Sequence, residues 1–320
     1  TTWRAAVLLA VRPYALTGQE QGGFPQKPVK IIIGFGAGGA SDTVARIYAA
    51  KMSEVLGEQV IVENQPGNST NIAAVAVKEA DPDGYTLFMA GNSNAVNPSL
   101  RENVPIDILN DFEPVALFAS VPNILAVRPS LGVNSVPELI ELAKSSPDGL
   151  FFGSSGVGSV SHLSGEYLKS QTGANLIHVP YKGSAAAMND LLSGAIDFMF
   201  VARSTVEPHE KEGSLVALAS STAERPKGLE DLPTVSEAGI DGFDAKIWFG
   251  IVAPAGTPKD IIAKLADAVE QAQADPKLQA QLANQGVDIF RGDSDAYWAY
   301  MKGEMDKWAE IVKSAGIEAN

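Results

Sequence analysis

Cysteine is absent from all 320 residues of the chain. That removes disulfide frameworks, thiolate nucleophiles and cysteine-ligated zinc or iron–sulfur sites. Histidine is nearly as scarce. His162, His178 and His209 are the only three, at no metal-ligand spacing, so no metal site is expected. Positive charge is also thin: 24 basic against 38 acidic residues leave a net charge of −14, which repels nucleic acid and anionic membranes. A small anion is still admissible, because it feels local donors more than a distant field screened within about 8 Å at physiological salt. No apolar run reaches the roughly 18 residues of a membrane-spanning helix.

The N-terminal stretch has Arg4 followed by the apolar run Ala5 to Val11, at the short end of a signal-peptide core, and Arg12 and Pro13 then interrupt it. Residues 1–23 therefore read as a truncated export signal or a disordered tail. The rest, with 45% apolar residues and alternating strand and helix patterns, reads as globular α/β, and its length suits two lobes.

What the chain does contain is one pattern written twice. KIIIGFGAGGASDTVAR, starting at Lys30, and LFFGSSGVGSVSHLSGEYL, starting at Leu150, each run from apolar strand to glycine loop to helix. Backbone amides at such helix starts have no intrahelical acceptor and carry a partial positive charge, so two of them suggest a clamp for an anion. Strands are expected over 29–35, 59–63 and 85–90, with helices over 42–56 and 71–79. Apolar runs at 113–119 and 123–127 flank Ser120, Val121 and Pro122, a hinge into a second lobe. That lobe is expected to hold helices over 138–145, 160–171 and 185–192, and strands over 150–154, 176–180, 195–201 and 215–220. The loop-rich stretch through Pro226, Pro233 and Gly239 returns to the first lobe. A strand over 247–252 and helices over 257–274, 276–285 and 293–314 follow, the last with an inward stripe of Tyr297, Trp298, Met301 and Trp308.

Gly34, Gly36 and Gly39 have the G-x-G-x-x-G spacing of a dinucleotide site, with Glu63 near where a ribose-binding acid would stand. A dinucleotide-dependent oxidoreductase using the GFGAGG loop is thus the alternative reading. Against it, Asp42 in the first helical turn sets a carboxylate where pyrophosphate would lie, and Glu63 leads directly into a Pro-Gly turn. A serine hydrolase reading fails on form, since no G-x-S-x-G elbow or acid partner for His162 is present. The second loop offers Ser154, Ser155, Ser159 and Ser161 among three glycines, donors suited to a carboxylate. HVPYKGS puts Tyr181 and Lys182 on a third strand-to-helix loop. Arg203 follows the apolar FMFVA, at the strand end where open α/β sheets bind ligands. Asn92 and Ser93 after the strand ending at Ala90, and Trp248 in the strand over 247–252, are further candidates from strand ends.

These blocks, with VIVENQPGNSTNIAA, DPDGYTLFMA and IWFGIVAPAGTPKDI, resemble the Bug family, the TctC-like extracytoplasmic solute receptors of tripartite tricarboxylate transporters, from about Phe24 to the C-terminus. The resemblance implies a two-lobed periplasmic binding protein fold, type II-like, each lobe a sheet flanked by helices and the C-terminal helical region packed on lobe one. Lobe one is expected over 24–121 and 222–320, and lobe two over 122–221. The resemblance further implies carboxylate capture by hinge closure, delivery to membrane permease subunits, periplasmic location, no catalytic residues and no cofactor. The chain is expected to act as a monomer with no nucleic-acid partner. By position, the family's carboxylate loops fall on Phe35, Ala37, Gly38, Gly39 and Ser41, and on Ser154, Ser155, Gly158 and Ser159, with Asn92, Ser93, Tyr181 and Arg203 completing the expected site.

Two departures from the family pattern shape the ligand expectation. Gly36 and Ala37 stand where the family usually has prolines, which loosens the first loop before binding. Val201 and Ala202, followed by Arg203, replace an Asp-Asn pair common in relatives, so an ammonium would lack its counter-charge. The expected ligand is therefore a carboxylate with an apolar far end, or one whose second carboxylate reaches Arg203: an aromatic or a dicarboxylic acid.

Overall fold

The computed structural model describes residues 23–317, and these build two sheets flanked by helices. Apart from Gly23, the stretch expected to be a signal or tail lies outside the described residues. Strand β1 (Val29–Ile33) is buried except at Lys30, as befits a strand covered on both faces. Helix α1 (Ala40–Leu56) lays Val44, Ala45, Tyr48, Ala49 and Met52 inward at helical spacing and stops at Gly57, whose φ of 73° is left-handed. The first pass continues through β2 (Val60–Asn64), α2 (Asn71–Lys78), β3 (Thr86–Gly91), α3 (Asn92–Leu100) and β4 (Phe112–Val121). The second sheet and its helices come from β5 (Asn123–Val127), α4 (Val136–Ser145), β6 (Leu150–Ser154), α5 (Val160–Thr172), β7 (Leu176–Pro180), α6 (Ser184–Ser193), β8 (Phe198–Ala202), α7 (Arg203–Lys211) and β9 (Val216–Ser220). The chain then returns through β10 (Ile247–Pro254), α8 (Lys259–Ala274), α9 (Pro276–Asn284), β11 (Asp288–Gly292) and α10 (Ser294–Ala315).

The first sheet has the order β11-β4-β10-β3-β1-β2 and the second the order β7-β6-β8-β5-β9. In both, a block of parallel strands carries the glycine loops: β2, β1 and β3 pair in parallel, as do β7, β6 and β8. Antiparallel β10 and β5 join these blocks to the strands that cross between the sheets. The crossings are the step Val121–Pro122–Asn123 and the stretch 221–246. They run side by side, because Ser221 N–H donates to the Asn123 carbonyl at 2.9 Å.

Helices α8 and α9 pack on α1, whereas α10 covers α3 and β4 and also reaches α5 of the second lobe. The C-terminal region therefore packs on the first lobe, and α10 touches the second as well. Of the expected aromatic stripe, Tyr297, Met301 and Trp308 are buried and Trp298 is half-buried.

Three elements have no counterpart in the sequence expectation: α3, α7 and β11. Helix α3 contains Asn92, Asn94, Asn97 and Pro98, residues that disfavour a helix interior. It is held from outside its own sequence. Asn94 Oδ1 caps Gly91 N–H at 3.0 Å, Asn97 Nδ2 donates to the Ser69 carbonyl at 2.9 Å, and α10 packs over it.

Candidate functional site

A cleft of about 980 Å³ lies between the two sheets. Five helices begin on its wall: α1 at Gly39 and Ala40, α3 at Gly91 and Asn92, α5 at Ser159 and Val160, α6 at Gly183 and Ser184, and α7 at Ala202. Only at α5 does the N-cap residue itself supply a side-chain cap, Ser159; the N-cap residues of the other four supply none, and at α3 Asn94 Oδ1 takes the N–H of Gly91. First-turn amides without an intrahelical acceptor thus converge from both lobes, each helix adding roughly half a positive charge at its start.

The first loop is shaped by Asp42. Its buried carboxylate accepts the N–H of Gly38 at 2.9 Å, Arg46 Nε at 3.0 Å and Asn64 Nδ2 at 3.0 Å. The Arg46 hydrogen bond holds its pKa down to about 2, against the opposing pull of burial. Gly38 has a left-handed φ of 84°, so tethering its amide fixes the turn and leaves the amides of α1 facing the cleft. Gly34 serves packing instead: a Cβ there would stand 2.4 Å from Thr70 Cβ. Glu63 turns to Lys30, 3.6 Å away, and accepts from Gln65. The G-x-G-x-x-G spacing therefore has an intramolecular explanation at its first glycine, and its acidic partner points at a lysine.

In the second loop the hydroxyls are largely spent on the loop itself. Ser159 Oγ donates to the Gly156 carbonyl at 2.6 Å and caps His162 N–H, while Ser161 Oγ accepts from Ser155 N–H at 3.0 Å. Behind the loop, His162 and His178 stack with ring centroids 3.8 Å apart. His162 Nδ1 accepts the N–H of Gly158 at 3.1 Å, and His178 Nε2 shares a 2.6 Å hydrogen bond with Ser154 Oγ. Burial pushes His162 down to about 3 and His178 to about 4.

A pH dependence follows from that pair. The unfolded chain protonates both rings near pH 6.5, whereas the folded loop resists until about 4 and 3. Stability is therefore expected to be flat above pH 6.5 and to fall on acidification, by up to about 1.4 kcal/mol per pH unit per ring, until the folded pKa values are passed. Urea unfolding between pH 8 and 4 measures the slope, and His178→Gln should reduce it; an unchanged slope in that variant would contradict the assignment.

The sequence model described as tripartite tricarboxylate transporter family receptor matches residues 44–317, most of the chain. The chain belongs to this receptor family. A structure of an R. palustris protein with adipate is 35% identical, with a TM-score of 0.82, covering 92% of this chain and 99% of that one. The periplasmic binding protein BugD is 36% identical, with a TM-score of 0.78 over 93% of this chain and 100% of its own. MatC from Rhodopseudomonas palustris, with bound malate, is 31% identical, with a TM-score of 0.77, covering 90% and 100%. The fold expectation of a two-lobed periplasmic binding protein stands.

Within this TctC-family receptor, the expected site residues separate into two groups. Phe35, Ala37, Gly38, Gly39, Ser41, Asn92, Ser93, Ser155 and Ser159 line the cleft. Ser154, Gly158, Tyr181 and Arg203 do not. Ser154 is fully buried on His178, and a Cβ at Gly158 would stand 2.5 Å from Leu100 Cδ1 of α3. Tyr181 donates its hydroxyl to Asp190 at 2.6 Å, behind the loop. Arg203 departs furthest from its expected role. Its guanidinium pairs with Glu210 at 2.5 Å, one helical stretch along α7, and faces a separate recess with Leu229 and Asp231. The salt bridge, two turns along its own helix, holds the guanidinium at that recess. Trp248 is also buried, donating Nε1 to Glu304 at 2.9 Å.

The charge that sequence reasoning gave to Arg203 stands elsewhere. Lys182 is the one charged residue lining the cleft among the described residues. Backbone bonds from Tyr181 N–H to the Ser154 carbonyl and from Gly183 N–H to the Ser155 carbonyl set it beside the second glycine loop. Its signal was the β-α position shared with Tyr181; alternation along the loop sends one side chain to the cleft and the other to Asp190.

Proposed function

We propose that this receptor is an extracytoplasmic solute-binding protein that captures a small organic carboxylate between its lobes, with a dicarboxylate or aromatic acid favoured. The observation carrying this reading is the meeting of five helix N-termini, from both lobes, and Lys182 in one cleft of a chain with a large net negative charge. Family relatives solved with adipate and malate, both dicarboxylates, support the ligand class. The ligand carboxylate is held by amides of the 35–41 and 155–161 loops, with Lys182 as the cation. We divide the lobes at the two adjacent crossings, with 24–121 and 222–320 in the first and 122–221 in the second. Both loops bond the ligand only when the lobes meet, so it shifts the population to the closed form. That form then delivers the acid to the permease subunits of a tripartite transporter, in the periplasm, with no bond made or broken.

A thermal-shift screen of adipate, malate and benzoate beside NAD, NADP and FAD tests the reading. At least one acid should raise Tm and the nucleotides should not; stabilisation by a nucleotide alone would restore the oxidoreductase alternative. By calorimetry Lys182→Ala should weaken the bound acid about tenfold or more, whereas Arg203→Ala should leave it unchanged.

A further inference from the structure

We propose that Leu100, seated on Gly158 of the opposite lobe, is the stop that sets how closely the two glycine loops approach each other around a ligand. Leu100 is thereby a positioning residue for capture, and its role rests on the carboxylate-binding reading above.

Gly158 stands in the second loop, between Ser155 and Ser159 of the cleft wall, yet is not on that wall itself. Its close neighbour is in the first lobe. A Cβ built on Gly158 would stand 2.5 Å from Leu100 Cδ1, closer than carbon atoms pack, and the φ of 78° at Gly158 is left-handed. Leu100 is 8% exposed at the end of α3, so its methyl has little room to step aside. Another contact between the lobes is looser. A Cβ on Gly286, in the turn between α9 and β11, would meet Arg203 Cβ of α7 at 3.6 Å, an ordinary van der Waals contact, and the φ of 65° there is also left-handed. Of the two, the tight fit is at Gly158.

Both ends of this contact are tied to a glycine loop. On the second lobe, Gly158 N–H donates to His162 Nδ1 at 3.1 Å, so the loop moves with the start of α5. On the first lobe, α3 is fixed to the segment just before α2. Asn97 Nδ2 donates to the Ser69 carbonyl at 2.9 Å, Arg101 Nη2 to Ser69 Oγ at 2.9 Å and Asn94 Nδ2 to Thr70 Oγ1 at 3.2 Å. These bonds hold Asn68, Ser69 and Thr70 at φ values of 46°, 50° and 74°, left-handed geometry that residues other than glycine keep only where their surroundings impose it. Thr70 in turn fills the space over Gly34, where β1 passes into the first glycine loop. Leu100 thus joins one loop to the other through packed and hydrogen-bonded residues. The size of its side chain, against bare backbone at position 158, decides whether amides of 35–41 and 155–161 reach the same carboxylate.

Titration calorimetry with adipate on Gly158→Ala, Gly286→Ala, Leu100→Ala and the combined Gly158→Ala/Leu100→Ala protein tests the proposal, with urea unfolding of each beside it. Both glycines are left-handed, so the two alanines carry similar backbone strain and differ in what their Cβ meets. Gly158→Ala should hold the loops apart and, by cutting the binding-competent fraction to about a tenth, weaken adipate about tenfold. Gly286→Ala should change the affinity by less than about threefold. Adding Leu100→Ala to Gly158→Ala makes room for the new methyl and should return the affinity to that of Leu100→Ala alone. Adipate bound equally by the wild type and Gly158→Ala, an equal loss in Gly286→Ala, or a loss that Leu100→Ala does not relieve would overturn the stop and leave the carboxylate reading in place. If adipate, malate and benzoate all fail to bind the wild type, that reading itself fails and takes the proposal with it. Should Gly158→Ala not fold, Leu100→Cys decides. Its thiol is the only one in the chain, and adipate should slow its alkylation by iodoacetamide severalfold; an unchanged rate would overturn the stop.

Discussion

Replacing Asp42 by alanine is expected to weaken carboxylate binding by roughly 10- to 100-fold and to cost the fold about 1–3 kcal/mol. The carboxylate never touches the cleft. It acts through Gly38, whose amide it holds, and through Asn64, which donates to Asp42 and also reaches the Phe35 carbonyl at 3.1 Å. Removing it frees a left-handed glycine turn that has no proline to stiffen it, so the loop must be ordered at the moment of binding. The lost affinity is this ordering cost. Asp42→Asn keeps an acceptor for Gly38 and should retain part of the effect. Since the folded pKa is lowered to about 2 from 3.8, Asp42 supports the fold above about pH 4, and the support is lost as pH falls toward 2. Calorimetry with adipate beside urea unfolding separates the two losses; binding unchanged in a folded Asp42→Ala protein would remove the residue from the account.

Glu304→Leu should destabilise the chain by about 3–5 kcal/mol, the largest stability effect anticipated for a single substitution. Glu304 is buried on α10, and its Oε2 accepts the indole N–H of Trp248 at 2.9 Å and of Trp308 at 3.0 Å. Lys307 pairs with Oε1 and also donates to the Asp244 carbonyl at 2.8 Å. Leucine fills the volume but leaves two buried indole donors unpaired and a lysine without its counter-ion. Because α10 packs on α3 and reaches α5, the loss is transmitted to both lobes. Glu304→Gln keeps one acceptor and should cost roughly half as much. Denaturant unfolding measures the difference, and a loss under about 1 kcal/mol for the leucine variant would show that water or a neighbour replaces the carboxylate.

Sequence and structure agree best where a residue's role is local. The apolar run VKIII, the capped start of α5 at Ser159 and the left-handed Gly57 each follow from short-range pattern, and each element stands near its expected place. The fold class was legible because alternating strands and helices recur around two glycine loops. Helix α3 was not, since its asparagines make it a poor helix until Thr70, Ser69 and α10 are supplied by distant parts of the chain. At the candidate site the loops were legible and the side-chain directions were not. Position alone could not tell that Lys182 faces the cleft while Tyr181 and Arg203 turn to Asp190 and Glu210. Nor could it reveal that the serines of the second loop bond one another, which leaves backbone amides as the principal donors.

The most direct test of a carboxylate gripped between two lobes is a crystal structure with the acid that most raises Tm. The account predicts a carboxylate within about 3 Å of amides from both the 35–41 loop and the 155–161 loop, with Lys182 beside it. An acid bound to one loop only, or lying in the recess beside Arg203, would contradict it.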